Sequence, residues 1–275
     1  MPLTFHKMHG AGNDFVLLDL REQALAVDAT QARNLAERHT GIGCDQVLVL
    51  QAPNADDHLA RFEIWNSDGS TAQQCGNGMR AIGVYLERRG EAPPGGFTLR
   101  GPAGDVQVQY LADGQVRVDM GRPDFRPPSV PVNLETYDGW YTLEIDGHNV
   151  QFGAASMGNP HAVLLVEALD DHVVSSLGPA ISRHPAFPEG CNVGFAQRVD
   201  EGSLRLRVWE RGAGETRACG SGACAAVAVL NMLGLGAPSM SVIQTGGLLI
   251  IEWNGGDGPV YMTGPAVHVF EGTMG

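Results

Sequence analysis

Two cysteines, Cys75 in QCGNGMRA and Cys219 in ACGSGACA, each stand directly before a glycine-polar-glycine triplet, 144 positions apart. A thiolate is a base and a thiol is an acid, so a pair of cysteines can move protons in both directions near neutral pH. Each cysteine precedes an apolar stretch of about three turns that reads as a helix. A helix start presents unpaired N–H groups and the positive end of the backbone dipole, which lowers a thiol pKa and favours a bound anion. Gly76, Gly78, Gly220 and Gly222 lack a Cβ that would shield those amides, so a carboxylate fits there. If both helix starts hold one carboxylate with a thiol on each side of its α-carbon, one sulfur removes the α-proton and the other replaces it from the opposite face. The chemistry expected from these residues is two-base inversion of a stereocentre.

The repeat extends beyond the cysteines. Residues 61–86 (RFEIWNSDGSTAQQCGNGMRAIGVYL) align without a gap on residues 205–230 (RLRVWERGAGETRACGSGACAAVAVL), matching Arg, Trp, Cys, Gly, Gly, Ala and Leu. In each copy a strand ending in Trp leads through a glycine-bearing loop to the cysteine and then to a buried helix. A weaker echo lies upstream, where GCD (43–45) and GCN (190–192) precede the two cysteines, as do Asn13 and Asn159 after their glycines. Two related domains, each contributing half of one site, account for this pattern. FVLLD (15–19), QVLVL (46–50), DVQVQY (105–110) and QVRVD (115–119) carry strand periodicity. Thr30 is expected to cap one helix and Asp170 another. The proline-bearing GRPDFRPP (121–128) is unable to continue a ladder and is expected to mark the domain boundary.

Composition narrows the partners. Eighteen basic against thirty-one acidic residues give a net charge of −13, which disfavours nucleic acid and anionic lipid. No apolar run is long enough to span a bilayer and no secretory leader is evident, so the expectation is a soluble cytoplasmic protein acting on a small molecule. Five cysteines, an odd number, argue against a disulfide framework. Pyridoxal phosphate requires a Schiff-base lysine, and the single lysine, Lys7, lies in a strand-like stretch without a phosphate-cradling loop. No cofactor is therefore expected. No metal is expected either, because Cys219 and Cys224 lack zinc-knuckle spacing. HGAGND (9–14) lacks the full pattern of a nucleotide loop. A thiol redox sensor or metal-binding protein is the alternative from another class, but redox proteins usually place their reactive cysteines close together in sequence.

The segments MHGAGNDFVLLD (8–19), GCDQ (43–46), NSDGSTAQQCGNGMRA (66–81), SMGNPH (156–161), NVGF (192–195), ERGAGETRACGSGACAA (210–226) and YMTGPA (261–266) together resemble diaminopimelate epimerase. The resemblance runs from end to end of the chain. It implies an α+β fold of two pseudo-symmetric domains, each a mixed β-sheet curled, barrel-like, around a central α-helix, with the active site in the interdomain cleft. Residues 1–121 plus 265–275 would form the half carrying Cys75, and 122–264 the half carrying Cys219. The implied activity is cofactor-independent interconversion of LL- and meso-diaminopimelate, in lysine and peptidoglycan precursor synthesis, by a homodimer. A rival within the same scaffold is a racemase for another amino acid.

Carried onto this chain, the resemblance makes Cys75 and Cys219 the acid/base pair, with Gly76, Asn77, Gly220 and Ser221 as donors to the reacting carboxylate. His161 and Glu210 would hold the reacting amino group and orient the site, with Gln46 beside them. Asn13, Asn66, Asn159, Asn192 and Arg211 would read the far amino-acid end, Arg211 as a two-pronged donor to a carboxylate. Cys44 departs from the family pattern at a position that often carries an aromatic residue, and Cys191 precedes Asn192. Both are read as structural, yet a place near the cleft would raise their exposure to oxidation. Cys224, Trp65 and Trp209 are read as core residues.

Overall fold

The computed structural model describes residues 3–23, 25–55 and 57–275. They form two compact units, one comprising the chain up to Asp119 together with Thr263–Gly275, the other Met120–Met262. The first unit holds β1 (Leu3–Gly10), β2 (Asn13–Asp19), α1 (Ala29–Ala36), β3 (Gln46–Gln51) and β4 (Ala60–Asn66). It continues with α2 (Gly76–Arg88), β5 (Phe97–Gly101), β6 (Gly104–Tyr110) and β7 (Val116–Asp119). The second holds β8 (Tyr141–Ile145), β9 (His148–Ser156), β10 (Pro160–Leu165), α3 (Asp171–Ser182) and β11 (Asn192–Arg198). There follow β12 (Ser203–Glu210), β13 (Gly214–Thr216), α4 (Gly220–Met232), β14 (Ser239–Gln244) and β15 (Gly247–Glu252). β16 (Tyr261–Gly264) spans the boundary after Met262, and β17 (Val267–Met274) belongs to the first unit.

In the first unit the strands pair in the order β17, β1, β2, β3, β4, β5, β6, β7, with β2–β3 and β4–β5 parallel and the rest antiparallel. The second unit repeats this alternation as β8, β9, β10, β11, β12, β14, β15, with β10–β11 and β12–β14 parallel. Parallel neighbours need a long crossover, usually a helix. α1 and α2 supply these crossovers in one unit, α3 and α4 in the other. α2 and α4 begin and end at positions offset by the same 144 residues that separate the cysteines, so the sequence repeat is a structural one.

The two crossovers of each unit have different surroundings. α2 packs against β17, β1 and β2 from one end of its sheet and against β6 and β7 from the other, so the sheet curls around it without closing into a barrel. α4 lies in the same way against β9, β10, β11 and β15. A helix that is apolar all round belongs inside, and every residue of α4 from Gly220 to Leu230 except Ser221 is buried. α1 and α3 cover the outer faces. The core beneath α1 joins Ala32 and Leu35 to Val16, Leu18, Val47 and Val49; that beneath α3 joins Val174 and Ile181 to Leu164, Val193 and Phe195. Strands covered on both faces read as continuous apolar runs, which explains the unbroken Val47–Leu50 in β3.

Local signals place the outer helices. Asp170 caps α3 by accepting from Val173 N–H at 2.7 Å. For α1 the cap is Asp28 and not Thr30, which lies inside the helix. The Asp28 carboxylate accepts from the N–H groups of Thr30 and Gln31, both at 2.8 Å, while the Gln31 side chain accepts from Asp28 N–H at 2.9 Å. This reciprocal box satisfies more backbone donors than a threonine two residues later could reach. Among the described residues no helix is long and apolar enough to cross a membrane.

Close packing of the central helix generates a stability prediction. A Cβ on Gly83 of α2 would stand 2.8 Å from Cγ1 of Val116 in β7 and 3.2 Å from that of Val108 in β6. Gly83→Val should lower unfolding stability by about 1–3 kcal/mol through overpacking, read as an earlier urea midpoint; an unchanged midpoint would show that β6 and β7 yield freely.

Candidate active site

Cys75 is the N-cap of α2, in extended conformation, and its half-buried sulfur accepts the Gly78 N–H at 3.4 Å. The thiol also lies 3.8 Å from Asn13 Oδ1, which accepts from Asn77 Nδ2 at 3.4 Å. Asn13 opens β2 and is held from behind, its Nδ2 donating to Asp45 Oδ2 at 3.0 Å, while Arg38 pairs with Asp45 at 2.8 Å and with Asp14 at 2.9 Å. Gln46 opens β3 directly opposite Asn66, the last residue of β4, and its Nε2 donates to Asn66 Oδ1 at 2.9 Å. Asn66 in turn donates to Ser70 Oγ at 3.0 Å. The first unit therefore gathers Asn13 and Asn77 around Cys75, and separately pairs Gln46 with Asn66.

Cys219 is the N-cap of α4, only 4% exposed. Its N–H donates to Gln244 Oε1 at 2.7 Å, and its thiol donates to Glu210 Oε2 at 3.2 Å, with Ser221 Oγ at 3.6 Å. Thr216 fixes the other carboxylate oxygen at 2.5 Å. Burial, reinforced by the adjacent Glu210 charge, pushes the Cys219 thiol well above its ordinary value, against smaller opposing effects of Ser221 and the Gly222 N–H. Gly222 packs tightly here: a Cβ would lie 3.2 Å from the Cys219 sulfur and 3.0 Å from Val208 Cγ2, so these neighbours would have to give by a few tenths of an ångström.

His161, in β10, lies opposite Asn192, the first residue of β11. Its Nε2 is 3.0 Å from Asn159 Oδ1 and 3.5 Å from Asn192 Nδ2. Asn192 Oδ1 accepts the Arg211 backbone N–H at 2.8 Å, and the Arg211 guanidinium donates to Glu189 O at 2.8 Å. Burial, followed by the Arg211 charge, pushes His161 down to about 3, so the ring is neutral. Asn159, His161, Asn192 and Arg211 thus form one contiguous group, while Glu210 belongs with Cys219.

Buried polar atoms in a finished core are nearly always paired, and leaving one unmet costs about 1–3 kcal/mol. Among the described residues, Gln46 Oε1, Asn77 Oδ1, His161 Nδ1 and Gln244 Nε2, all within these clusters, are buried without a hydrogen-bond partner, as are His9 Nδ1 and His58 Nδ1 outside them. Gln244 and Thr216 were not legible as site residues: Gln244 ends a plain strand, β14, and its side chain reaches Cys219 only through the fold. Cys44, Cys191 and Cys224 are buried in apolar packing. Burial in the cores beneath α1 and α3 pushes Cys44 and Cys191 to about 12.

The family model for diaminopimelate epimerase matches residues 5–126 and 153–269. The chain belongs to the diaminopimelate epimerase family. It is 48% identical over 271 residues to the diaminopimelate epimerase of Xanthomonas campestris pv. campestris, covering 98% of this chain and 95% of that protein. It is 46% identical over 274 residues to that of Stutzerimonas stutzeri, covering 100% and 99%. Among solved structures, a hydroxyproline epimerase from Agrobacterium vitis superposes with a TM-score of 0.72 at 16% identity, over 99% of this chain and 92% of that one. A PhzF-family phenazine biosynthesis protein from Bacillus anthracis gives 0.66 at 15%, over 100% and 99%. These structural likenesses extend the fold of the epimerase family to proteins with different names.

The contact between Glu210 and Cys219 generates a titration prediction. A negative carboxylate beside a thiol opposes its ionisation, so Glu210→Gln should shift the ionisation of Cys219 to lower pH. Alkylation of Cys219 followed across pH by peptide mass measures the midpoint; an unchanged or higher midpoint would remove Glu210 as the controlling charge.

Proposed function

We propose that the chain epimerises LL-diaminopimelate to meso-diaminopimelate for lysine biosynthesis, with Cys75 and Cys219 as the two bases and without pyridoxal phosphate. Family membership supports the reaction. The observation that carries the mechanism is that each unit places a cysteine at the N-cap of its enclosed helix, at equivalent positions of the repeat. Inversion requires one group on each face of the α-carbon, and equal roles in the forward and reverse directions call for two groups of the same type. The first-turn amides of α2 and α4 lack intrahelical acceptors, and their donors would stabilise the charge that develops on the carboxylate as the α-proton leaves.

Burial and Glu210 favour the protonated form of Cys219, which suits it to supply the incoming proton and leaves removal of the outgoing one to Cys75. A substrate ammonium docked against Glu210 would offset that carboxylate's charge and ease ionisation of Cys219, as reversible turnover demands. His161, neutral with an unmet Nδ1, and Asn159 and Asn192 beside it, orient the substrate through hydrogen bonds. Gln46, Asn66, Asn13, Asn77 and Arg211 serve the polar remainder of a dipolar substrate, with Gly76, Gly220 and Ser221 at the carboxylate. Lys7 does not resemble a Schiff-base lysine: its ammonium is ion-paired with Asp14 at 2.5 Å and donates to Gly43 O. The net charge of −13 and the five free thiols support a small-molecule enzyme of the cytoplasm. Val267, Val269, Phe270 and Met274 are all exposed on β17, an apolar row that supports a homodimer.

In deuterated water, LL-diaminopimelate should acquire solvent deuterium at the inverting carbon, and Cys75→Ala or Cys219→Ala should each reduce turnover by about 10²–10⁴-fold or more. Near-normal epimerisation by either variant would exclude the two-thiol mechanism, and exchange with a different amino acid only would move the substrate assignment. For the assembly, Val269→Asp should convert the wild-type dimer to a particle of one chain in light scattering; a wild-type monomer would remove the homodimer.

A further inference from the structure

We propose that His6, His268 and Glu271, which the epimerase chemistry does not use, form a binding site for a zinc-class divalent metal on the β1–β17 ladder. The argument begins with strand geometry. Residues three apart on a regular strand point to opposite faces, so His268 and Glu271 should diverge. The register prevents this: Lys7 pairs with Phe270 but Met8 pairs with His268, leaving Val269 as an extra, bulged residue. A bulge re-aims the side chains that follow it. His6 sits directly opposite Glu271 in the same ladder, and the bulge swings His268 onto their face.

The three ligand atoms consequently lie within 4.8 Å of one another, with His6 Nδ1 3.2 Å from His268 Nε2 and 3.7 Å from Glu271 Oε2. Bonds of about 2.0–2.1 Å to a tetrahedral ion place neighbouring ligand atoms roughly 3.3–3.5 Å apart, close to both separations. Two imidazoles and a carboxylate form a zinc donor set that leaves one position for water. Neither Cys75 nor Cys219 belongs to this group, and among the described residues no other cluster of His, Cys, Asp and Glu has ligand atoms close enough to hold a metal.

Glu271 and Asp19 supply negative charge around the two rings, opposing Arg88 and Arg89. The ring of Tyr85 lies 4.7 Å from that of His6, and its hydroxyl donates to Asp19 at 2.8 Å, which fixes the wall behind the imidazole. A bound ion would tie the first strand of the chain to the last. Because the unfolded chain has no such arrangement, binding would stabilise the fold.

Metal-stripped protein should bind one Co²⁺ per chain, giving visible d–d bands without the intense near-ultraviolet band of a thiolate ligand, and Zn²⁺ should compete for the site and raise the Tm. His268→Ala and the conservative, surface-located Glu271→Gln should each weaken binding by more than about tenfold and abolish the Tm increase, while leaving epimerase turnover intact. Absence of stoichiometric binding to the wild type, a thiolate band, or unchanged affinity in both variants would overturn the site and leave His6 and His268 as a hydrogen-bonded ring pair.

Discussion

A sulfur atom at the start of an enclosed helix is the constraint on which this protein depends. The helix must be inside, because a helix that is apolar all round has no face to give to water. A helix inside needs a sheet curled around it, and that sheet needs parallel steps whose crossovers the helices themselves provide. The small residues of α4, Ala223, Ala225, Ala226 and Ala228, follow from this enclosure, as does Gly83 in α2, where β7 comes too close for a Cβ. Gly222 packs closely against the sulfur itself.

The two units share a framework but not a microenvironment. Asn66 and Glu210 occupy equivalent positions at the ends of β4 and β12. The first is a neutral amide paired with Gln46, the second a carboxylate against the catalytic candidate Cys219. This one difference in charge distinguishes the two sulfurs: Cys75 accepts from the Gly78 N–H, while the Cys219 thiol donates to Glu210. A repeat therefore supplies position, and individual substitutions within it supply the difference in charge around each sulfur.

The other cysteines show how environment alone separates chemistry from packing. Cys44 and Cys191 occupy equivalent places next to Asp45 and Asn192, as close in sequence to site residues as Cys75 is. Each nevertheless turns into the core beneath an outer helix, where desolvation holds the thiol protonated. What sets Cys75 and Cys219 apart is their place at the N-caps of α2 and α4, whereas Cys44 and Cys191 stand outside any helix start.

Much of the framework was legible in the residues themselves. Strand periodicity marked β2, β3, β6 and β7, and the gapless match of 61–86 with 205–230 marked a strand and a helix in each unit, because both copies obey the same burial pattern over the same spacing. What lay beyond the sequence depends on side chains that meet only after folding. Asp28 displaced Thr30 as a cap through a reciprocal bond with Gln31, Gln244 reached Cys219 across 25 positions, and a single bulged residue turned His268 toward His6. Local spacing determines which face a residue takes within its own element. Which distant residue meets it there is decided by strand register and packing, where a shift of one position reverses every side chain.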